Sequence, residues 1–128
     1  MGSTRHSVVV RDGLDVDVLE PVGSFRSDED FLEFDQAVRD LVQRQPSTVL
    51  VSFGRLDGLL SSAAIGVLMR ALQRIKRLGG QMVFGRLGDD GEGGAAGVLA
   101  KLLPPPPGGA NAMMALDEEL RRAAGDGN

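Results

Sequence analysis

At 128 residues, 42% hydrophobic and 25% charged, the chain has the size and composition of one globular domain that buries its own core. Its net charge of −4 argues against nucleic acid or an anionic membrane as direct partner, since either calls for a basic face. The absence of cysteine excludes disulfides and thiolate metal sites, and no apolar run is long enough to span a bilayer as a helix.

Only Val8, Val9 and Val10 form an apolar run before Arg11, so no signal peptide is read there and a cytoplasmic location is expected. Ser7 to Arg11 reads as a short strand and Asp12-Gly13 as a two-residue hairpin turn. Leu14 to Val18 alternates apolar and polar, the pattern of a half-buried strand, and Pro21 and Gly23 are expected to end it. Ser27 is the expected N-cap of a helix whose first turn carries Asp28, Glu29 and Asp30, a good match to the positive end of the dipole. Phe31, Phe34, Val38, Leu41 and Val42 recur at helical spacing with Ala37 on the same side, and Pro46 stops the helix.

Thr48 to Phe53 is β-branched and almost continuously apolar, as a central strand buried on both faces requires. Ser61-Ser62 opens a second helix with Ile65, Leu68, Met69, Leu72, Ile75 and Leu78 on one face. Arg70, Arg74, Lys76 and Arg77 lie toward its C-terminal half, and Gly79-Gly80 supplies the cap. Gln81 to Gly85 is the next strand, so the spacing predicts a βαβ unit with parallel strands and a right-handed crossover. Beyond it, Gly85 to Gly94 reads as an acidic, glycine-rich loop and Ala95 to Leu103 as a short helix that Pro104 to Pro107 terminate. Ala112 to Leu116 reads as an edge strand or extended segment, Asp117 to Ala124 as a final helix, and Gly125 to Asn128 as a frayed tail. Residues 1–128 are expected to form one domain, with its core at about 7–124.

Little in this pattern points to catalysis. His6, the single histidine, falls in a segment expected to fray, which disfavours both a Ser-His-Asp triad and a zinc site. The acidic groups around Asp15 and Asp17, Asp28 to Asp30, Asp89 to Glu92, and Asp117 to Glu119 read as strand faces, helix starts and solvated loop. Gly91-Glu92-Gly93-Gly94-Ala95-Ala96 matches a dinucleotide fingerprint nominally, but Asp89, Asp90 and Glu92 would repel a phosphate, so a small nucleotide-handling enzyme is the least favoured reading. Met69, Met82, Met113 and Met114 read as core filler. No catalytic residue, metal ligand or cofactor is assigned, and the chain is not expected to be an enzyme. Ser61 is expected to cap the second helix by accepting from the N–H of Ala63 or Ala64.

Ser47 to Arg86 resembles the STAS domain of bacterial anti-sigma factor antagonists. Counterparts of that family's pattern are the strand Thr48 to Phe53, Ser61-Ser62-Ala63-Ala64, the helix start Ile65-Gly66-Val67-Leu68, the basic tail Arg74 to Arg77, Gly79-Gly80, and the strand Gln81 to Phe84. The resemblance implies an α/β fold: a STAS-like mixed β-sheet with packed helices, an N-terminal hairpin and a central βαβ unit. It implies a regulatory protein-binding switch in which Ser62, with Ser61 as alternative, is the phosphorylated serine. The implied partners are an anti-sigma factor with serine kinase activity, which the unmodified domain captures to free the sigma factor, and a serine phosphatase of the metal-dependent type. Two positions depart from the family: Ser61 stands in place of its aspartate and Ala64 in place of its glycine, whose extra methyl is expected to narrow a partner's approach. The partner surface is expected at Arg55, Asp57, Gly58, Ser61, Ser62 and Gly66, with reversal of Arg55 or Asp57 weakening binding at little cost in stability. A non-phosphorylated scaffold subunit of a larger signalling assembly is the second reading.

Overall fold

The computed structural model describes residues 2–11, 13–45, 48–56, 61–85 and 110–126. In chain order the elements are β1 (Ser3–Arg11), β2 (Leu14–Val22), α1 (Asp28–Val42), β3 (Thr48–Val51), α2 (Ser62–Arg77), β4 (Gln81–Phe84) and α3 (Ala110–Asp126). The strands form one mixed sheet in the order β1-β2-β3-β4. β1 and β2 are antiparallel, whereas β2, β3 and β4 run parallel. The α/β class, the N-terminal hairpin and the βαβ unit are therefore as the sequence pattern requires.

The hairpin is tight because Arg11 pairs directly with Leu14, and Gly13 at the turn takes a φ of 78°, a value that glycine reaches without steric cost. Both arms are longer than the apolar pattern marks, at nine residues each. Ser3 to Ser7 carries no apolar periodicity, yet it pairs along the outer part of β2, and the core edge moves outward from residue 7 to Gly2. The Gly2 N–H donates to the Asp30 carboxylate at 2.8 Å, pinning the start of β1 under the start of α1. His6 consequently sits opposite Leu19 in a paired strand and not in a frayed terminus. Pro21 lies inside β2 without ending it. The ladder to β3 reaches the Ser52 N–H, which donates to the Leu19 carbonyl at 2.9 Å, and Pro21 has no N–H with which to continue it.

Side chains alternate across the parallel strands and divide the core in two. Leu19, Val49, Val51, Met82 and Phe84 face α1 and α2. Val16, Val18, Leu50 and Val83 face the opposite way, where Leu116 and Leu120 of α3 cover them. β3 is buried at every position, as a strand covered on both faces must be. Ala112 to Leu116 is helical and not an edge strand. Alanine, methionine and leucine are strong helix formers, and Leu116 and Leu120, four residues apart, place one helical face on the sheet. Met82 is buried and Met69 packs against the core, as fillers should. The loop expected at 86–94, the helix at 95–103 and the 104–107 proline run lie outside the described residues.

Candidate functional site

The parallel strands end on the same side of the sheet at which α2 begins, the position at which open α/β sheets characteristically present their sites. α2 is held from below. Ala64, Ile65, Val67, Leu68, Ala71, Leu72 and Ile75 are all buried, so one face of the helix belongs to the core. Ser61 is the N-cap, with extended backbone, and its Oγ accepts from the Ala64 N–H at 3.1 Å. That hydroxyl is committed to the fold. Ser62, the first helical residue, is exposed, as are Ala63 and Gly66. These small side chains bare the helix backbone over its first turns. A Cβ added at Gly66 would meet no atom of the described residues within 4 Å, so none of them requires glycine there. Ala64, by contrast, is 0% exposed. Its methyl fills the core beneath the helix and cannot narrow a partner's approach, contrary to expectation.

The electrostatics of the two helix starts differ. α1 places Asp28, Glu29 and Asp30 in its first turn, whereas the first turn of α2 has no acidic residue. No acidic side chain of the first turn of α2 itself compensates the positive end of its dipole beside the exposed Ser62 hydroxyl.

Of the loop residues expected to join this surface, Arg55 is engaged internally. Its Nε donates to Oε2 of buried Glu20 at 3.3 Å, and its carbonyl accepts from the Gly23 N–H at 3.0 Å. Charge reversal at Arg55 would set a carboxylate against buried Glu20, so it costs stability, and the expectation of a stability-neutral reversal does not hold there. Asp57 and Gly58 lie outside the described residues.

Three acidic side chains read as part of a strand face or a helix start are buried and paired. Asp17 accepts from Arg44 Nη1 at 2.7 Å and lies 2.8 Å from His6 Nε2. Asp30 accepts from the N–H groups of Arg26 and Ser27, which hold its carboxyl well below the usual carboxylate range against the opposing effect of burial; the Gly2 N–H and the Ser24 hydroxyl add to this. Asp117 accepts from the Ser52 hydroxyl and from Arg121 Nε, each at 3.0 Å. A Cβ at Gly85 would collide with that Asp117 carboxylate, so the residue that follows β4 is one without a side chain. The Asp117 cluster fastens α3 to the ends of β3 and β4, and the Ser52 hydroxyl, fully buried with its proton committed to Asp117, is a structural group. The available signals were Ser52 continuing an apolar strand and the Asp117/Arg121 spacing of four residues.

Among the described residues, no group of three or more His, Asp or Glu side chains is placed to hold a metal ion, and no helix is long and apolar enough to cross a membrane. The glycine-rich 91–96 segment lies outside the described residues. No protein-family model matches the chain, and no curated protein matches it.

Proposed function

We propose that the chain is a regulatory protein-binding switch of the STAS type, resembling an anti-sigma factor antagonist, whose docking surface is the first turns of α2 and whose control point is Ser62. The observation that carries this reading is the exposed small-residue face of Ser62, Ala63 and Gly66 on a helix otherwise anchored in the core. Glycine in an exposed helix interior costs about 1 kcal/mol relative to alanine. Among the described residues nothing occupies the space an alanine methyl would take at Gly66, so the backbone there is open to a closely packed partner. Between the two serines, Ser61 is occupied as a cap and Ser62 is free for a kinase to reach, which favours Ser62 as the acceptor.

A phosphate on Ser62 adds about −1.5 to −2 charges. At a helix N-terminus with no acidic neighbour in its first turn, the domain itself tolerates that charge, because the dipole and free N–H groups favour an anion. A partner packed against bare helix backbone does not tolerate it. It would have to desolvate a dianion with no room for counter-groups, and about 1.4 kcal/mol already lowers affinity tenfold. The modification thus acts on the complex and leaves the fold alone. The anti-sigma factor would supply the kinase activity, and a serine phosphatase would restore the binding form.

Affinity capture from cells that make the protein, combined with the intact mass of the bait, tests this. The parent chain and Ser62→Ala should retain an anti-sigma factor of the serine-kinase kind, and Ser62→Asp should not. The parent should gain the mass of one phosphoryl group that Ser62→Ala never gains. A bait that is never phosphorylated and assembles only into a larger complex insensitive to Ser62→Asp would instead establish the scaffold role.

A further inference from the structure

A groove of about 880 Å³ runs between α1 and α2, and Ser62, Ala63 and Gly66 are not among its lining residues. Phe31, half-buried, is the apolar side chain open on its floor, with the core residues Phe34, Val38, Val67 and Ala71 buried beneath it. Leu32 stands on its wall at 68% exposure, the most exposed large hydrophobic side chain among the described residues. The charged groups around it are Arg39, Arg70, Arg74 and Arg77 against Asp28 and Asp35. Asp35 is already shared, 2.9 Å from Arg39 and 3.6 Å from Arg74. Arg70 and Arg77 have no ion pair among the described residues, on a chain whose net charge is −4. A locally basic, apolar-floored groove on an acidic molecule selects for an acidic, amphipathic occupant.

We propose that this groove docks an amphipathic helix of a partner protein, apolar along one face and flanked by carboxylates. The length of the site argues for a helix. Arg70 and Arg77 are separated by about 10 Å along the α2 axis, at about 1.5 Å per residue, so carboxylates two turns apart on an incoming helix meet both. Apolar residues at i, i+3, i+4 and i+7 of an incoming helix would lie along Phe31, Leu32 and Val67, while its acidic flank meets Arg70 and Arg77. The opposite charges steer the encounter and set its orientation, so binding weakens with salt. This surface shares no residue with the Ser62 switch and stands whether or not that switch exists.

The test uses the full chain carrying a benzophenone photo-crosslinking residue in place of Leu32, irradiated in cells that make the protein, with the crosslinked peptide sequenced. The expected product joins Leu32 to one segment with apolar residues at helical spacing flanked by Asp or Glu. The double variant Arg70→Glu, Arg77→Glu should cut its yield at least about tenfold, since reversal sets like charges face to face, with circular dichroism unchanged. Ser62→Asp should leave the yield as it is. The proposal is overturned by crosslinking to lipid, to a second copy of this chain, or to a basic or aperiodic segment. It is equally overturned by a yield indifferent to the arginines, or no greater than that from the same probe at exposed Glu33.

Discussion

Gly66 separates the needs of the fold from the needs of a partner more cleanly than any other side chain here. Among the described residues nothing lies within 4 Å of a Cβ there and it sits inside a helix, so Gly66→Ala should raise stability by about 0.5–1 kcal/mol in denaturant unfolding. The same methyl should weaken partner binding, because it lifts the partner off the backbone; a variant that is more stable and binds equally well would remove Gly66 from the interface. Asp30 makes the opposite case, a residue used wholly by the fold. Hydrogen bonds from Arg26, Ser27, Gly2 and Ser24 depress its folded-state pKa. Its stabilisation is therefore complete above the unfolded carboxylate value, near 4, and is lost as pH falls through that value toward the folded one. Asp30→Asn should cost about 2 kcal/mol or more at pH 7, the scale of charge-assisted bonds, and should flatten the acid limb of the stability curve below about pH 4. Equal acid limbs in the two chains would contradict this account. Ser27 and Ser61 were legible as caps because their partners lie three residues away, at Asp30 and Ala64. Asp17 and Asp117 were not, since their partners Arg44 and Ser52 lie 27 and 65 residues away, and no local pattern records such a pairing.

At the scale of elements, periodicity located what the core dictates. α2 was readable because its apolar spacing coincides with its buried face, and Leu68 and Leu72 are 0% and 3% exposed. Leu68→Ala or Leu72→Ala should cost about 2–5 kcal/mol in urea unfolding; a loss below about 0.5 kcal/mol would mean that this face is not core. Leu78, read onto the same face, is 52% exposed, because the helix ends at Arg77 and the chain turns away through Gly79. α3 was misread at its start because Ala115 and Leu116 carry too little polar contrast to show a period, and its first residues follow a segment with no clear pattern. β1 was shortened for a similar reason: Ser3 to Ser7 is held by pairing with β2 and by the Gly2–Asp30 bond, neither of which has a local signature.

For the whole molecule, the division of labour follows from layering. The sheet is covered by α1 and α2 on one face and α3 on the other, which fixes α2 from beneath and leaves its first turns to solvent. A charge added at exposed Ser62 meets no acidic side chain in the first turn of α2. The central claim is therefore that negative charge at Ser62 acts on association and not on folding. The measurement that tests it most directly pairs two readouts on the parent chain and Ser62→Asp: the Kd for the proposed partner, and the thermal unfolding midpoint. The account predicts affinity lower by at least about tenfold, roughly 1.4 kcal/mol, with a midpoint equal to or above that of the parent. An unchanged Kd, or an affinity loss that only tracks a lowered midpoint, would contradict it.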